Sequence, residues 1–497
     1  MLQNKVTQLL QLLAYPQAGQ KMTTRTYRKE IQSLREFLVY QSTNRDHKQA
    51  LALFDLLQTF GPDFEAKDLS LDSLYRQLFP KGKASKSYFR KVQSTLSRLI
   101  EDYLIQQKVR EDATERSALL TKVYQQRGQQ DWYVKLLIQQ KETLLAKEAK
   151  GTTDFRQLAE CDRQLYEAQV ASLSHAESTA LLRDFEKHLE RYYLLEQLIL
   201  WNEWAEFERV TQERKQVLTD DLLQQDLTWL IEQIRQLAPQ LLVFELYLSR
   251  LEQADQSRLL TKEAILDTHS PLSQRDRQRL FMWLVNDTNR YLRQGADPKA
   301  VYTELLELYR FGLQKDLLWS AGHLSSTTYF NVVTVSNLLG EYDFCYQFIE
   351  TYTKDLREGH RAAAENWAMA HYYYHTDDLE GCLERVGTAY KKYDMYSLQI
   401  RTLEVKSRYT LFQRGNADVD FLDSCLANAL QWANNDRIFS LGLRQGFKNF
   451  VKMVQKISKH QGKALLDPKK KDKLKKALKK TKNIYSRAWL LAQIEAI

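Results

Sequence analysis

Seven prolines punctuate 497 residues, and each stands where a helix is expected to begin or end: Pro16, Pro62, Pro80, Pro239, Pro271, Pro298 and Pro468. Proline lacks a backbone N–H and clashes with the preceding turn, so it is tolerated in the first turn of a helix and excluded from its interior. Long proline-free intervals therefore leave room for long helices. Glycine, at 16 residues, is equally sparse. Leu, Gln, Lys, Arg and Glu dominate between the breaks, and all are good helix formers. The expected fold class is all-α.

Hydrophobic periodicity agrees. Phe89, Val92, Leu96, Leu99 and Tyr103 recur at alternating spacings of three and four, which places them on one helical face. Leu71, Leu74, Tyr75 and Leu78 form a second stripe, with Ser70 as its expected N-cap. The spacing predicts helices over about 24–41, 46–60, 70–79 and 87–110, with a turn around Gly61-Pro62. No segment alternates with period two, so no sheet of consequence is expected. Further breaks fall at 147–154, 213–221 and 267–273. The resulting division is an N-terminal helical domain (1–112), a helical region of degenerate repeats (113–279), helical repeats (280–462) and a basic C-terminal capping helix (463–497).

Charge is uneven. The formal net charge is +9, yet residues 467–482 alone carry +7 and residues 81–98 carry +6, leaving the remainder at −4. Clustered charge of this kind suits polyanions, whereas dispersed charge mainly aids solubility. Four scattered cysteines, with no CxxC pair, read as reduced, buried thiols of a cytoplasmic protein. The amphipathic start, interrupted by Gln8 and Gln11, is a poor signal-peptide core. No apolar run approaches the length of a membrane span.

From about residue 280 the chain turns periodic. In 327–356, Tyr329, Gly340, Tyr342, Cys345, Ile349 and Tyr352 occupy the large, turn, aromatic, small and apolar positions of a helical hairpin. In 365–393 the same slots hold Ala370, Tyr373, Asp377, Leu379, Cys382, Val386 and Ala389. A looser third copy offers Cys425, Ala429 and Trp432, and a fourth Ala300. This pattern resembles the tetratricopeptide repeat. The resemblance implies an irregular α-solenoid of stacked helical hairpins, in which one contact position must be small because two backbones nearly meet. It also implies a concave surface that binds a protein or peptide partner. Tyr329, Asn331, Asn366, Tyr373 and Arg408 are the candidate groove contacts.

Catalytic signatures are not found. The chain has no Walker loop, GxGxxG, HExxH or GxSxG. His371 and His375 share a helical face at a spacing that can ligate zinc, but closure would need further ligands from elsewhere. The expectation is a non-enzyme with no cofactor and no metal: a scaffold or adaptor.

The alternative is a nucleic-acid-binding regulator. A short helix, a basic turn and a long amphipathic helix over 70–110 resemble a helix-turn-helix or wingless winged-helix unit, as in bacterial activators that carry tetratricopeptide repeats downstream. The resemblance implies that Lys81, Lys83, Lys86, Arg90, Lys91 and Arg98 meet phosphates, with Gln93 and Ser94 near base edges. A second anion-contact candidate is Lys471, Lys475, Lys476, Lys479 and Lys480, whose i, i+4 like-charge pairs each cost roughly 0.2–0.5 kcal/mol. The expected apolar seam behind them runs through Leu474, Leu478, Tyr485, Ala488 and Ala492, widened by Ile484 and Leu491.

Overall fold

A computed structural model describes residues 5–13, 24–61, 70–80, 84–211, 221–237, 241–252, 254–320, 322–389, 397–435, 439–460 and 468–497. These are almost entirely helical and divide into two compact units, Met1–Arg293 and Gln294–Ile497.

The first unit begins with α1 (Lys5–Leu12), α2 (Thr24–Gln41), α3 (Arg45–Leu57), α4 (Leu71–Leu78) and α5 (Lys86–Glu111). Local chemistry sets these boundaries. Ser70 accepts from Ser73 N and Ser85 accepts from Tyr88 N, so α4 and α5 each start on a serine cap. The five helices close around a core that includes Leu10, Leu34, Phe54, Val92 and Leu96. Asp112 ends α5 and caps α6 (Ala113–Gln126) through Thr114 N and Glu115 N. Then come α7 (Gln130–Leu145), α8 (Thr152–Gln169), α9 (His175–Thr211), α10 (Asp221–Leu237), α11 (Leu242–Glu252), α12 (Ala254–Leu266) and α13 (Gln274–Arg293). The 37-residue α9 packs on α8, α10 and α11.

The second unit opens with α14 (Pro298–Gln314), which has proline in its first turn and Asp297 as its cap. A two-residue hairpin follows, β1 (Trp319–Ser320) with β2 (His323–Leu324), Trp319 facing Leu324. The helices resume with α15 (Ser326–Leu339), α16 (Tyr342–Tyr352), α17 (Glu358–His375), α18 (Leu379–Ala389), α19 (Ser397–Gln413), α20 (Val419–Asn435), α21 (Leu441–Ser458), α22 (Pro468–Lys480) and α23 (Arg487–Ala496). From α14 to α21 every helix touches its successor. The odd-numbered ones, α15, α17, α19 and α21, also touch one another in turn.

Three links in this run each need one left-handed residue. Gly340 (φ 77°) and Gly415 (φ 75°) supply it freely, whereas Asp377 (φ 68°) occupies it without glycine's licence. The four cysteines are free and buried. Cys345 lies against the Val333 carbonyl of α15 at 3.9 Å, and Cys382 takes the Ser407 hydroxyl of α19 at 3.3 Å. Small thiols thus sit where neighbouring helices approach closely.

The C-terminal segment departs from expectation. It is two helices rather than one, broken at Ser486 (φ 50°). Leu474 and Leu478 are buried as expected, but the break resets the helical phase. Leu490 and Ile494 then turn inward, while Ala488, Leu491 and Ala492 face solvent. Arg487 secures the corner by donating to the carbonyls of Leu478 and Thr481.

Candidate functional site

The odd-numbered layer of the second unit carries an unusual polar seam. Asn337, near the end of α15, is buried; its Nδ2 donates to the Val333 carbonyl (2.9 Å) and lies 3.0 Å from His371 Nδ1 on α17. With the amide as donor, that imidazole nitrogen is the acceptor. One turn on, the His375 ring lies 4.6 Å from that of His371, as their i, i+4 spacing requires. Lys406, on α19, is half-buried. Its Nζ stands 5.9 Å from the Tyr374 ring and 5.7 Å from the Trp489 ring, the latter on α23. Trp367 backs the seam, stacked on Phe330 at 3.5 Å.

Electrostatically, the described residues of the seam include a cation and no anion beside it. Burial pushes the Lys406 ammonium down to about 8. Burial, helped by the Lys406 charge, holds His375 down to about 4 and His371 well below the ordinary imidazole value. Both rings are therefore neutral at pH 7. Among the described residues no carboxylate pairs with Lys406. Asp377, in the adjoining turn, is engaged by Arg414 at 2.6 Å. A half-buried ammonium with aromatic walls and no counter-charge is costly to keep, and it would gain from an incoming carboxylate. The two histidines do not extend to a metal cluster: among the described residues no group of three or more His, Cys, Asp or Glu could hold an ion.

The groove residues expected from sequence are distributed differently. Tyr329 is wholly buried, with its hydroxyl on Thr353 Oγ1 at 2.7 Å and its ring 5.3 Å from Phe348. It is a core residue and offers nothing to a partner, because its ring fills the space between α15 and α16. Asn331, Asn366 and Tyr373 are half-buried on α15 and α17. Arg408 leans on Glu404 of its own helix (3.3 Å) and over the Phe421 ring (4.5 Å). Asn337 and Lys406 escaped the sequence reading because single polar residues in amphipathic helices carry no motif. Their neighbours, two histidines one turn apart, were the visible signal.

The basic segments are partly self-satisfied. Lys86 pairs with Asp72 at 3.2 Å, and Lys91 with Asp46 at 2.7 Å. Hydrogen bonds from Lys91 and Tyr88 hold the Asp46 carboxyl below its usual range. Arg90, Ser94 and Arg98 are exposed on α5 and Gln93 is half-buried; Lys81 and Lys83 lie outside the described residues. On α22, Lys471 donates to the Glu495 carbonyl (2.6 Å) and Lys475 to Glu495 Oε1 (3.2 Å), which clasps α23. Lys476, Lys479 and Lys480 face solvent.

No protein-family model, curated protein or solved structure matches this chain. Among the described residues no helix is long and apolar enough to cross a membrane.

Proposed function

We propose that the chain is a non-catalytic helical-repeat scaffold of the tetratricopeptide type, and that the layer formed by α15, α17 and α19 receives a protein or peptide partner through an acidic group. The order of contacts supports the repeat reading. Links of a few residues make α15/α16 and α17/α18 antiparallel pairs, and α15 packs on α17, its counterpart in the next pair. Such stacking forms a curved α-solenoid whose inner wall is the shared layer.

The observation that carries the proposal is Lys406. Among the described residues its charge meets no carboxylate, and rings from α17 and α23 flank it. The test is affinity capture from a cell extract, followed by binding measurements with the recovered partner. Lys406→Met keeps the stem and removes the charge. A loss of at least tenfold in affinity, with an unchanged far-UV spectrum, supports the face as the docking site; equal affinity removes it.

The second reading, a nucleic-acid-binding regulator, draws support from the outward Arg90 and Arg98 on α5 and Lys476, Lys479 and Lys480 on α22. The ion pairs of Lys86 and Lys91 weigh against it. Duplex affinity measured against salt decides. Direct phosphate contact gives a steep log–log slope that flattens when Arg90 and Arg98 become alanine. No binding at low salt ends this reading.

A further inference from the structure

The last three helices hold the positive charge of the whole chain. Residues 439–497 carry fourteen Lys, two Arg and three acids, a net of +13, against +9 for all 497 residues. The excess is not confined to α22: α21 contains three Lys, one Arg and no acid. Leu441, Lys448, Lys452 and Lys459 fall within an arc of about 40° on the outer side of α21, at about 100° per residue. On α22, Lys473, Lys476 and Lys480 fall within about 60°, across the helix from Leu474. The inward sides share one core, with Phe447 and Phe450 of α21, Leu474 and Leu478 of α22, and Leu490 of α23. Two hydrogen bonds join the stripes at a corner. Asn483 Nδ2 donates to the Gly442 carbonyl at 2.5 Å, and the Asn483 carbonyl accepts from Asn449 Nδ2 at 2.7 Å. The lysine end of α22 is thereby held against the Leu441 end of α21, and Leu441 is 78% exposed.

These charges are open. Lys452, Lys456, Lys459, Lys473, Lys476 and Lys480 are exposed and form no ion pair among the described residues. Glu495 is taken by Lys471 and Lys475, and Asp472 is the one exposed carboxylate on α22. Like charges at i, i+4 repel, and an anionic surface relieves that repulsion. Three observations favour lipid over nucleic acid. The outward cations are lysines, which act as point charges. Fixed phosphates and base edges are read by arginine, and here Arg487 is turned to the Leu478 and Thr481 carbonyls while Arg444 is half-buried. No aromatic ring among the described residues of 439–497 is exposed for bases to stack on. An exposed leucine beside lysines suits the headgroup layer, where its apolar body is buried and the ammonium groups stay at the surface. We propose that the corner of α21 and α22 docks this chain on an anionic phospholipid bilayer, with the two lysine stripes over the headgroups and Leu441 entering the interface. The contact is peripheral and separate from the seam at Lys406.

The test is flotation of the full chain with phosphatidylcholine vesicles, plain or containing about 30 mol% phosphatidylserine. The chain is expected to bind the anionic vesicles, to ignore the neutral ones, and to be released as salt rises from about 0.05 M to about 0.5 M. Two variants, Lys452→Gln/Lys456→Gln/Lys459→Gln on α21 and Lys473→Gln/Lys476→Gln/Lys480→Gln on α22, should each lower the partition coefficient at least about tenfold, since one lysine near such a leaflet contributes about fivefold. All six positions are exposed, so the Tm of both variants should match the parent. Leu441→Ser should lower partition severalfold and leave the salt dependence unchanged. Lys406→Met and Arg90→Ala/Arg98→Ala should bind vesicles as the parent does, which separates this surface from the two readings above. Equal binding to both kinds of vesicle, or binding to neither at low salt, would overturn the proposal. So would indifference to the α21 variant, because the lysine run of α22 would then act alone. A short DNA duplex that displaces the chain from anionic vesicles at equal phosphate concentration would assign the face to nucleic acid instead.

Discussion

Asp162 and His188 meet at 2.6 Å inside the first unit, carboxylate to Nδ1, with Asp162 wholly buried and His188 nearly so. The other oxygen of Asp162 takes Lys141 Nζ at 2.6 Å, and Lys141 reaches on to Asp184 at 2.7 Å. Three helices, α7, α8 and α9, are tied by this one carboxylate. Removing one member of a buried charged group strands the others without water, at a cost of about 3–5 kcal/mol. Asp162→Ala is expected to destabilise by about 3 kcal/mol or more in urea unfolding followed by far-UV circular dichroism. Lys86→Ala breaks a pair whose members are both about three-quarters exposed. It is expected to change stability by less than about 0.5 kcal/mol. Equal costs for the two would show that Asp162 is hydrated.

The cysteines make a second case. Burial pushes the thiols of Cys161 and Cys382 up to about 11, and those of Cys345 and Cys425 up to about 12. The thiolate is the reactive species, and access is also required. At pH 8 the native chain is expected to leave a chromogenic disulfide reagent untouched over minutes, then to titrate all four thiols once denaturant is added. Rapid reaction of one thiol in the native state would place it at the surface.

Much of this was legible in sequence for a local reason. The serine cap of α4 and the apolar stripe of α5 depend on residues within a few positions of each other, and both came out as read. The burial of Cys345 and Cys382 followed from hairpin spacing. What lay hidden depends on distant neighbours. Lys141, Asp162 and His188 come from separate helices and share no motif. The fresh start of α23 rests on a left-handed Ser486, and nothing in the lysine-rich approach marks it. Lys406 gains its character only from Tyr374 and Trp489, which α17 and α23 bring to it.

The left-handed links yield a third prediction. At Gly340 an added Cβ would meet no atom within 4 Å, so any cost of Gly340→Ala comes from the backbone alone. That cost is about 1–2 kcal/mol for a residue held at positive φ. Asp377→Gly relieves the same strain but gives up the exposed pair with Arg414. The two effects nearly cancel, and a change within about 0.5 kcal/mol is expected. Thermal unfolding of both variants checks the asymmetry. An undiminished Tm for Gly340→Ala would mean that the link can adopt another conformation.

The histidine seam sets the acid limit of the second unit. His375 titrates at about 4 in the folded chain and His371 well below its ordinary value, against about 6.5 for either when unfolded. Between pH 4 and 6.5 the unfolded chain therefore binds more protons, and stability must fall as pH falls through that window. The loss attributable to the pair is on the order of 1–3 kcal/mol, since both rings keep some exposure to water. Lys406 works at the other end of the scale. Its folded value of about 8 lies below that of a free lysine. The unfolded chain thus holds the extra proton from about pH 8 to about 10.4, and this group adds stability as pH rises there. Urea unfolding from pH 4.5 to 7 should show a slope that His371→Gln/His375→Gln largely removes, with carboxylates accounting for what persists at the acid end. Proton NMR gives the direct check, because the His375 Hε1 resonance should stay at its neutral position down to about pH 5. A midpoint near 6.5 would mean that the ring is solvated and that the seam stands open to water. Binding of an acidic partner at Lys406 should shift the same resonance toward a higher midpoint, because an anion beside the ammonium offsets the repulsion that adds to burial in holding the imidazole neutral.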